Sequence, residues 1–148
     1  MSELQVRYEY VENAAMAKQQ QPPRPTEGEL AILRVLWSEG PCSVRAIHEI
    51  MSRSQPVGYT TILKLLQIMT EKGLVLRDES QRSHVYRASQ TEVRTQKQLV
   101  GDMLDRAFGG SAFKLVMRAL STKKASPEEL GEIRKLIERL EQERGEHS

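Results

Sequence analysis

The chain has 148 residues, 39% hydrophobic and 28% charged, which suits a modest core under a well-solvated surface in one domain or two very small ones. Its 22 Lys and Arg against 20 Asp and Glu leave a formal +2, too little to argue for nucleic acid unless the charge is arranged locally. A single cysteine, Cys42, excludes a disulfide framework and a cysteine-rich zinc site and fits a reducing compartment. No apolar run approaches the ~20 residues of a membrane span. The opening MSELQVRYEYVENAAMAKQQQ carries Glu3, Glu9 and Glu12 without an apolar stretch, so it does not read as a secretory signal. The expectation is a soluble cytoplasmic protein without membrane insertion.

Residues 1–25 read as an arm, disordered in the free protein. QQQPPRP is polar and Pro-rich and offers nothing to bury, and RYEYVENAAMAK forms a short helix only if something receives it. Order is expected from Thr26, where Thr26 and Glu29 make a capping-box pattern. Leu30, Leu33 and Trp37, with Leu36 beside them, follow at helical spacing until Gly40-Pro41 ends the run. Ser43 can cap a second helix with an Ala46, Ile47, Ile50 and Met51 stripe. Cys42 beside that helix start reads as a small packing residue rather than a reactive thiol. After the connection Ser54 to Gly58, a third helix is predicted from Tyr59 to Lys72, stopped by Gly73.

Beyond Gly73 the period changes. Leu74 and Leu76, with Val75, begin one strand, and Val85 and Tyr86 sit in a second, with the polar stretch Arg77 to His84 between them as the tip of a β-hairpin. From Thr91 the pattern is helical again: Val93, Val100, Met103, Leu104, Ala107 and Phe108, a break at Gly109-Gly110, then Phe113, Val116, Met117 and Leu120. Ser126-Pro127-Glu128-Glu129 is a strong helix start, and Leu130, Ile133, Ile137 and Leu140 form a narrow seam suited to one partner helix.

Nothing in this pattern carries catalysis. His48, His84 and His147 are scattered, no phosphate-binding or nucleophile motif occurs, and Glu128-Glu129 reads as a helix-terminus feature. Neither an enzyme, a metal site nor a cofactor is expected. The third helix is more informative. At 100° per residue, Ile62, Leu65, Leu66 and Met69 group on one side, while Thr60, Lys64 and Gln67 face the other with Thr61 and Ile68 on its flank. Short hydroxyls, an amine and an amide suit a helix entered into a major groove. Arg77, Arg82 and Arg87, with Ser83 and His84, surround the hairpin and can hold phosphates while the helix reads bases. Between Ser43 and Gln90 seven Lys and Arg meet four Asp and Glu, a local +3.

These residues resemble the penicillinase-repressor family, the BlaI/MecI/CopY group of bacterial transcriptional repressors. The resemblance rests on ELAILRVLW, on TT-I-x-x-LL before EKGLV and on HVYRAS, and it continues through FGGSAFKLVMRALSTKKASPEELGEIRKLIERL, from about Thr26 to Leu140. It implies a mainly α fold with a small β-hairpin wing: a winged helix-turn-helix over 26–90 and a helical dimerisation region over 91–148. It further implies a homodimeric repressor on a dyad-symmetric, double-stranded DNA operator. Thr60, Thr61, Lys64 and Gln67 are then the base-reading candidates, Tyr59 and Arg45 contact backbone near the helix entrances, and Arg77, Arg82, Ser83 and His84 hold phosphates. Val100, Met103, Leu104, Phe108, Phe113, Met117, Leu120, Leu130, Ile133, Ile137 and Leu140 are the dimerisation candidates, because the C-terminal helices carry apolar faces yet too few residues to close a core alone.

Two departures stand out. Induction in the resistance repressors of this group is associated with cleavage of an Asn-Phe bond by a membrane metalloprotease sensor. Here the one asparagine, Asn13, precedes Ala14, so that partner is an expectation no residue carries. The paired Cys-x-Cys motifs of the copper-responsive members are replaced by ERLEQERGEHS. The alternative reading is a winged-helix protein-interaction module without operator binding.

Overall fold

A computed structural model describes residues 23–146. In chain order the elements are α1 (Glu27–Glu39), β1 (Cys42–Ser43), α2 (Val44–Ser52), α3 (Tyr59–Lys72), β2 (Val75–Asp78), β3 (Val85–Ala88), α4 (Glu92–Ala107), α5 (Ala112–Thr122) and α6 (Pro127–Glu146). The fold is mainly helical with one small antiparallel sheet, in strand order β1-β3-β2. The chain divides into two units, residues 1–99 and 100–148, and α4 runs from the first into the second. The arm expected over 1–25 lies outside the described residues except for its last three, which form no helix or strand.

In the first unit, α1 starts as its sequence dictates. Thr26 accepts from the Glu29 amide at 3.3 Å, and the Glu29 carboxylate accepts from the Thr26 amide at 2.9 Å. Glu29 is nevertheless 1% exposed, and Lys72 supplies the partner that a buried carboxylate needs. The Lys72 ammonium, at the last residue of α3, donates to both Glu29 oxygens at 2.7 and 3.1 Å. The carboxylate therefore fastens the start of α1 to the end of α3.

The core is Ile32, Leu33 and Leu36 of α1, Val44 and Ile47 of α2, and Ile62, Leu66 and Met69 of α3, closed by Leu74, Val75 and Tyr86. Two stripes differ from the sequence expectation. Leu30 and Trp37 flank the α1 stripe half-buried while Ile32 takes the centre, and the Trp37 indole donates to the Gln90 carbonyl at 3.0 Å. On α3, Leu65 stands at the core's edge rather than inside it.

Gly73 adopts φ +80°, the left-handed conformation that a Cβ penalises. Its amide bonds to the Thr70 carbonyl and that of Leu74 to the Met69 carbonyl, the paired closure of a Schellman motif. Met69 and Leu74 are both buried, as that motif favours. The strand accordingly starts at Val75, one residue later than the sequence pattern suggests. Leu74 is buried as the residue closing α3, Val75 is the first inward strand residue, and Leu76 points outward. Strand pairing sets Val75 opposite Ala88 and Arg77 opposite Tyr86.

The third strand, β1, was not legible as one. Two residues after Gly40-Pro41 are too few to show a period, yet Cys42 pairs with Tyr86 and Ser43 with Val85. Ser43 then caps α2, accepting from the Ala46 amide at 3.2 Å, so one residue ends a strand and starts a helix.

In the second unit, Ser111 caps α5 and Ser126 caps α6, each accepting the amide three residues on at 3.1 Å. The helix break falls at Gly109 and Gly110, both at positive φ. From Val100 to Glu146 no residue is buried: these helices have apolar stripes but no core of their own.

Burial raises the Glu29 pKa, but the bonds from Lys72 and Thr26 outweigh it and hold the carboxyl below its ordinary value of 4.5. A depressed folded-state pKa stabilises above the unfolded value and loses that contribution as pH falls through the folded one. Glu29→Ala should therefore cost about 3 kcal/mol at neutral pH by urea unfolding, the low end for a broken buried pair because Lys72 keeps a third of its side chain in water. The gap between wild type and Glu29→Gln should narrow as pH falls below 4.5. A gap unchanged down to the acid limit would remove the ion pair from the account.

Candidate nucleic-acid interface

Each side of α3 has a distinct task. Ile62, Leu66 and Met69 are fully buried and fix its rotation about its own axis. The opposite side presents Thr60, Lys64 and Gln67 to solvent, with Thr61 and Ile68 exposed on the flank. The face expected to read bases is thus set by three core side chains.

At the N-terminal end of α3 a groove of about 370 Å³ opens between α2, α3 and the wing. Arg45 of α2, Tyr59 of α3 and Arg82, Ser83 and His84 of the segment before β3 all line it. Residues separated by nearly forty positions in sequence meet at one groove, which gathers two guanidinium groups, two hydroxyls and an imidazole.

The helix ends add to its character. The α2 N-terminus is at the groove through Ser43, and α3 begins there with Tyr59. Thr26 and Ser43 cap their helices with side chains, but the α3 cap is Gly58, which makes no side-chain bond. The first-turn amides of α3 are consequently left for an external acceptor, at the positive end of a helix dipole.

One unexpected residue sets the groove wall. His48 Nε2 donates to the Val57 carbonyl at 2.9 Å, and its ring meets Tyr59 edge-on at 5.8 Å between centroids. It ties the loop before α3 to α2 and positions Tyr59. No local pattern announces this, because the partner is a backbone carbonyl nine residues away.

The local +3 is not evenly available. Lys72 is committed to Glu29, Arg45 lies 3.3 Å from Glu49, and Arg77 is paired with Glu79. Arg77 sits on β2 outside the groove, where the Tyr86 hydroxyl and the Glu79 carboxylate hold its guanidinium above its ordinary pKa. The Arg45 pair is exposed and worth little, so a phosphate can displace Glu49. Lys64 and Arg82 pair with no carboxylate among the described residues. Among those residues no cluster of His, Cys, Asp or Glu could hold a metal ion.

The penicillinase repressor family model matches residues 25–139, most of the chain and both units. The chain belongs to the penicillinase repressor family. It is 39% identical over 59 residues to the transcriptional regulator BlaI of two strains of Mycobacterium tuberculosis, an alignment covering 39% of this chain and 43% of theirs. The chain thus spans less than half the length of the curated relatives it matches. Similar solved structures include the YusO protein of Bacillus subtilis, at 19% identity and TM-score 0.48 over 94% of this chain and 89% of that one. A MarR family protein of Bacillus stearothermophilus is 20% identical with TM-score 0.46, over 98% and 99% of the two chains.

Cys42 belongs to the scaffold under this surface. It is buried in β1, its thiol donates to the Gly40 carbonyl at 3.2 Å, and burial, then the Glu39 carboxylate, push its pKa up. In this repressor-family chain it should react with a thiol reagent only after urea unfolding. Stoichiometric labelling of the native protein within minutes would contradict that packing.

Proposed function

We propose that this chain is a cytoplasmic, homodimeric, sequence-specific DNA-binding transcriptional repressor acting on a dyad-symmetric operator. The observation that carries the reading is the groove where Arg45, Tyr59, Arg82, Ser83 and His84 converge beside the exposed Thr60, Lys64 and Gln67 face of α3. In this reading α3 enters the major groove of double-stranded DNA. Thr60 and Thr61 touch thymine methyls or hydroxyl-accepting edges, Gln67 pairs with adenine, and Lys64 reaches guanine or a phosphate. The protein groove takes a backbone phosphate, with the uncapped α3 amides contributing. Arg77 holds the wing's shape through Glu79 and Tyr86 and contacts DNA only by giving up Glu79.

Dimerisation answers what the second unit lacks. Phe113 is 74% exposed, and Val100, Met103, Met117, Leu120, Leu130, Ile137 and Leu140 are exposed as well, with Leu104, Phe108 and Ile133 half-buried. So much apolar surface on a segment without a buried residue is supported by burial against a second copy. A membrane metalloprotease sensor has no support from the residues, and no helix among the described residues is long and apolar enough to cross a membrane.

The deciding measurement is binding of the purified chain to the DNA upstream of its own gene across a salt series, with mass in solution measured in parallel. Site-specific binding that weakens steeply with salt, by a species of twice the chain mass, is the expected result. Salt-insensitive or sequence-blind binding by a monomer would overturn it.

Two substitutions test the parts separately. Arg82→Ala should weaken binding nearly uniformly across sequences and lower the salt slope by about 1, whereas Gln67→Ala should relax discrimination at one base pair by ~1–3 kcal/mol.

Gly58→Asp is the sharper test. Its φ of −74° accepts an L-residue and the added Cβ meets only ordinary contact with Thr61. The carboxylate should cap α3 and raise stability by a few tenths of a kcal/mol, while repelling the phosphate and weakening DNA binding at least tenfold. Unchanged DNA affinity would take the phosphate away from the α3 N-terminus.

A further inference from the structure

The flank of α3 away from the wing borders a second groove, of about 670 Å³, between α1, the end of α2 and the loop before α3. Its lining is chiefly apolar. Ala31 and Val35 come from α1, Met51 from α2, Val57 from the loop and Leu65 from α3, and each is left half-buried by the described chain. This surface has no part in the proposed phosphate site, which Tyr59 and Leu63 border on the other flank of the same helix.

We infer that residues 1–15 of the same chain seat in this groove. The first argument is attachment. Thr26 caps α1, and the next two residues, Glu27 and Gly28, are already part of the groove's rim. Anything joined to the chain at that point is held beside the groove at an effective concentration of roughly millimolar, so a weak contact suffices.

The second argument is composition. Residues 1–22 lie outside the described part of the structure, but their sequence can supply a matching face. Wound as a helix, Leu4, Tyr8, Val11 and Ala15 fall on one side with Arg7 and Glu12 at its two edges, and Asn13 falls on the far side with Glu9, Val6 and Tyr10. The apolar side fits the Val35, Met51, Val57 and Leu65 lining, and the rim offers Glu27 and Arg34 to the arm's Arg7 and Glu12.

The third argument is reach. The ten residues from Met16 to Pro25 are Gln- and Pro-rich, and at ~3.1 Å per residue in an extended polyproline-type conformation they span about 30 Å. That exceeds the length of α1, thirteen residues at ~1.5 Å each. The segment can turn back along α1 and enter the groove from the end where it is attached.

The test uses the DNA-free, full-length protein, so that its outcome is independent of operator binding. A nitroxide is placed at Asn13→Cys on the far side of the arm, with buried Cys42 left unlabelled. The methyl signals of Val35, Met51, Val57 and Leu65 are then compared before and after reduction of the label. The expected result is near-complete loss of those signals with the label active, while Leu76 and Val85 on the wing keep theirs. Adding Tyr8→Asp and Val11→Asp should restore the groove signals, with the unfolding midpoint in urea measured in parallel to show that the core is kept. Undiminished groove signals would overturn the inference, and so would losses that survive the two Asp substitutions. Mixing nitroxide-bearing, isotope-silent chains with isotope-labelled, unmodified chains separates the source: equal losses in the mixture would assign the groove to a second copy's arm and reject the intramolecular one.

Discussion

The first unit depends on one carboxylate. Glu29 closes the start of α1 by capping and, through Lys72, fastens it to the last residue of α3. An unpaired buried carboxylate would cost several kcal/mol, so the pair acts less as added stability than as a condition on geometry. Only one placement of α1 against α3 lets both helix ends meet. The opposite end of α3 is fixed independently, by His48 holding the Val57 carbonyl and packing edge-on against Tyr59. A helix pinned at both ends, with Ile62, Leu66 and Met69 buried between, has little freedom to roll. Its exposed residues are presented in one orientation.

That constraint also partitions the charge. The cations between Ser43 and Gln90 look equivalent in sequence, but Lys72 is spent inside the fold and Arg77 on Glu79. What remains near α3 is Lys64 on the exposed face and Arg45 and Arg82 at the groove. A near-neutral protein can therefore offer a small positive surface where two helix N-termini already point. The uncapped Gly58 extends the same logic to the backbone: among the described residues of the first unit, the one helix start without a side-chain cap borders the proposed phosphate site.

The helices of the first unit were legible because their signals are local. The Thr26–Glu29 box, the Ser43 cap and the Gly73 stop are read within four residues, and the polar face of α3 follows from 100° per residue. Strand β1 was not legible, because two residues carry no period and their order comes from Tyr86 and Val85 more than forty positions later. The inward register of β2 stayed open for a related reason: Leu74 belongs to the Schellman closure, which makes Val75 the first inward strand residue. Glu29–Lys72 and His48–Val57 were invisible because neither residue type in its local context differs from a surface residue. Of the candidate site, the side chain types could be named from the sequence, but the meeting of Arg45, Tyr59, Arg82, Ser83 and His84 at one groove could not.

The second unit poses the complementary problem. Its helices are capped well and patterned well, yet nothing from Val100 to Glu146 is buried. Helix propensity and caps contribute tenths of a kcal/mol to about one each and cannot hold three amphipathic helices together without a core. On the proposed reading, the same event supplies the core and the second DNA-reading module. A lone winged unit with so few free cations binds weakly, whereas two joined units convert the second half-site contact into an intramolecular one. Folding of the C-terminal helices, self-association and operator occupancy then share one concentration dependence, since a dimer whose interface is its core has no separately stable monomer.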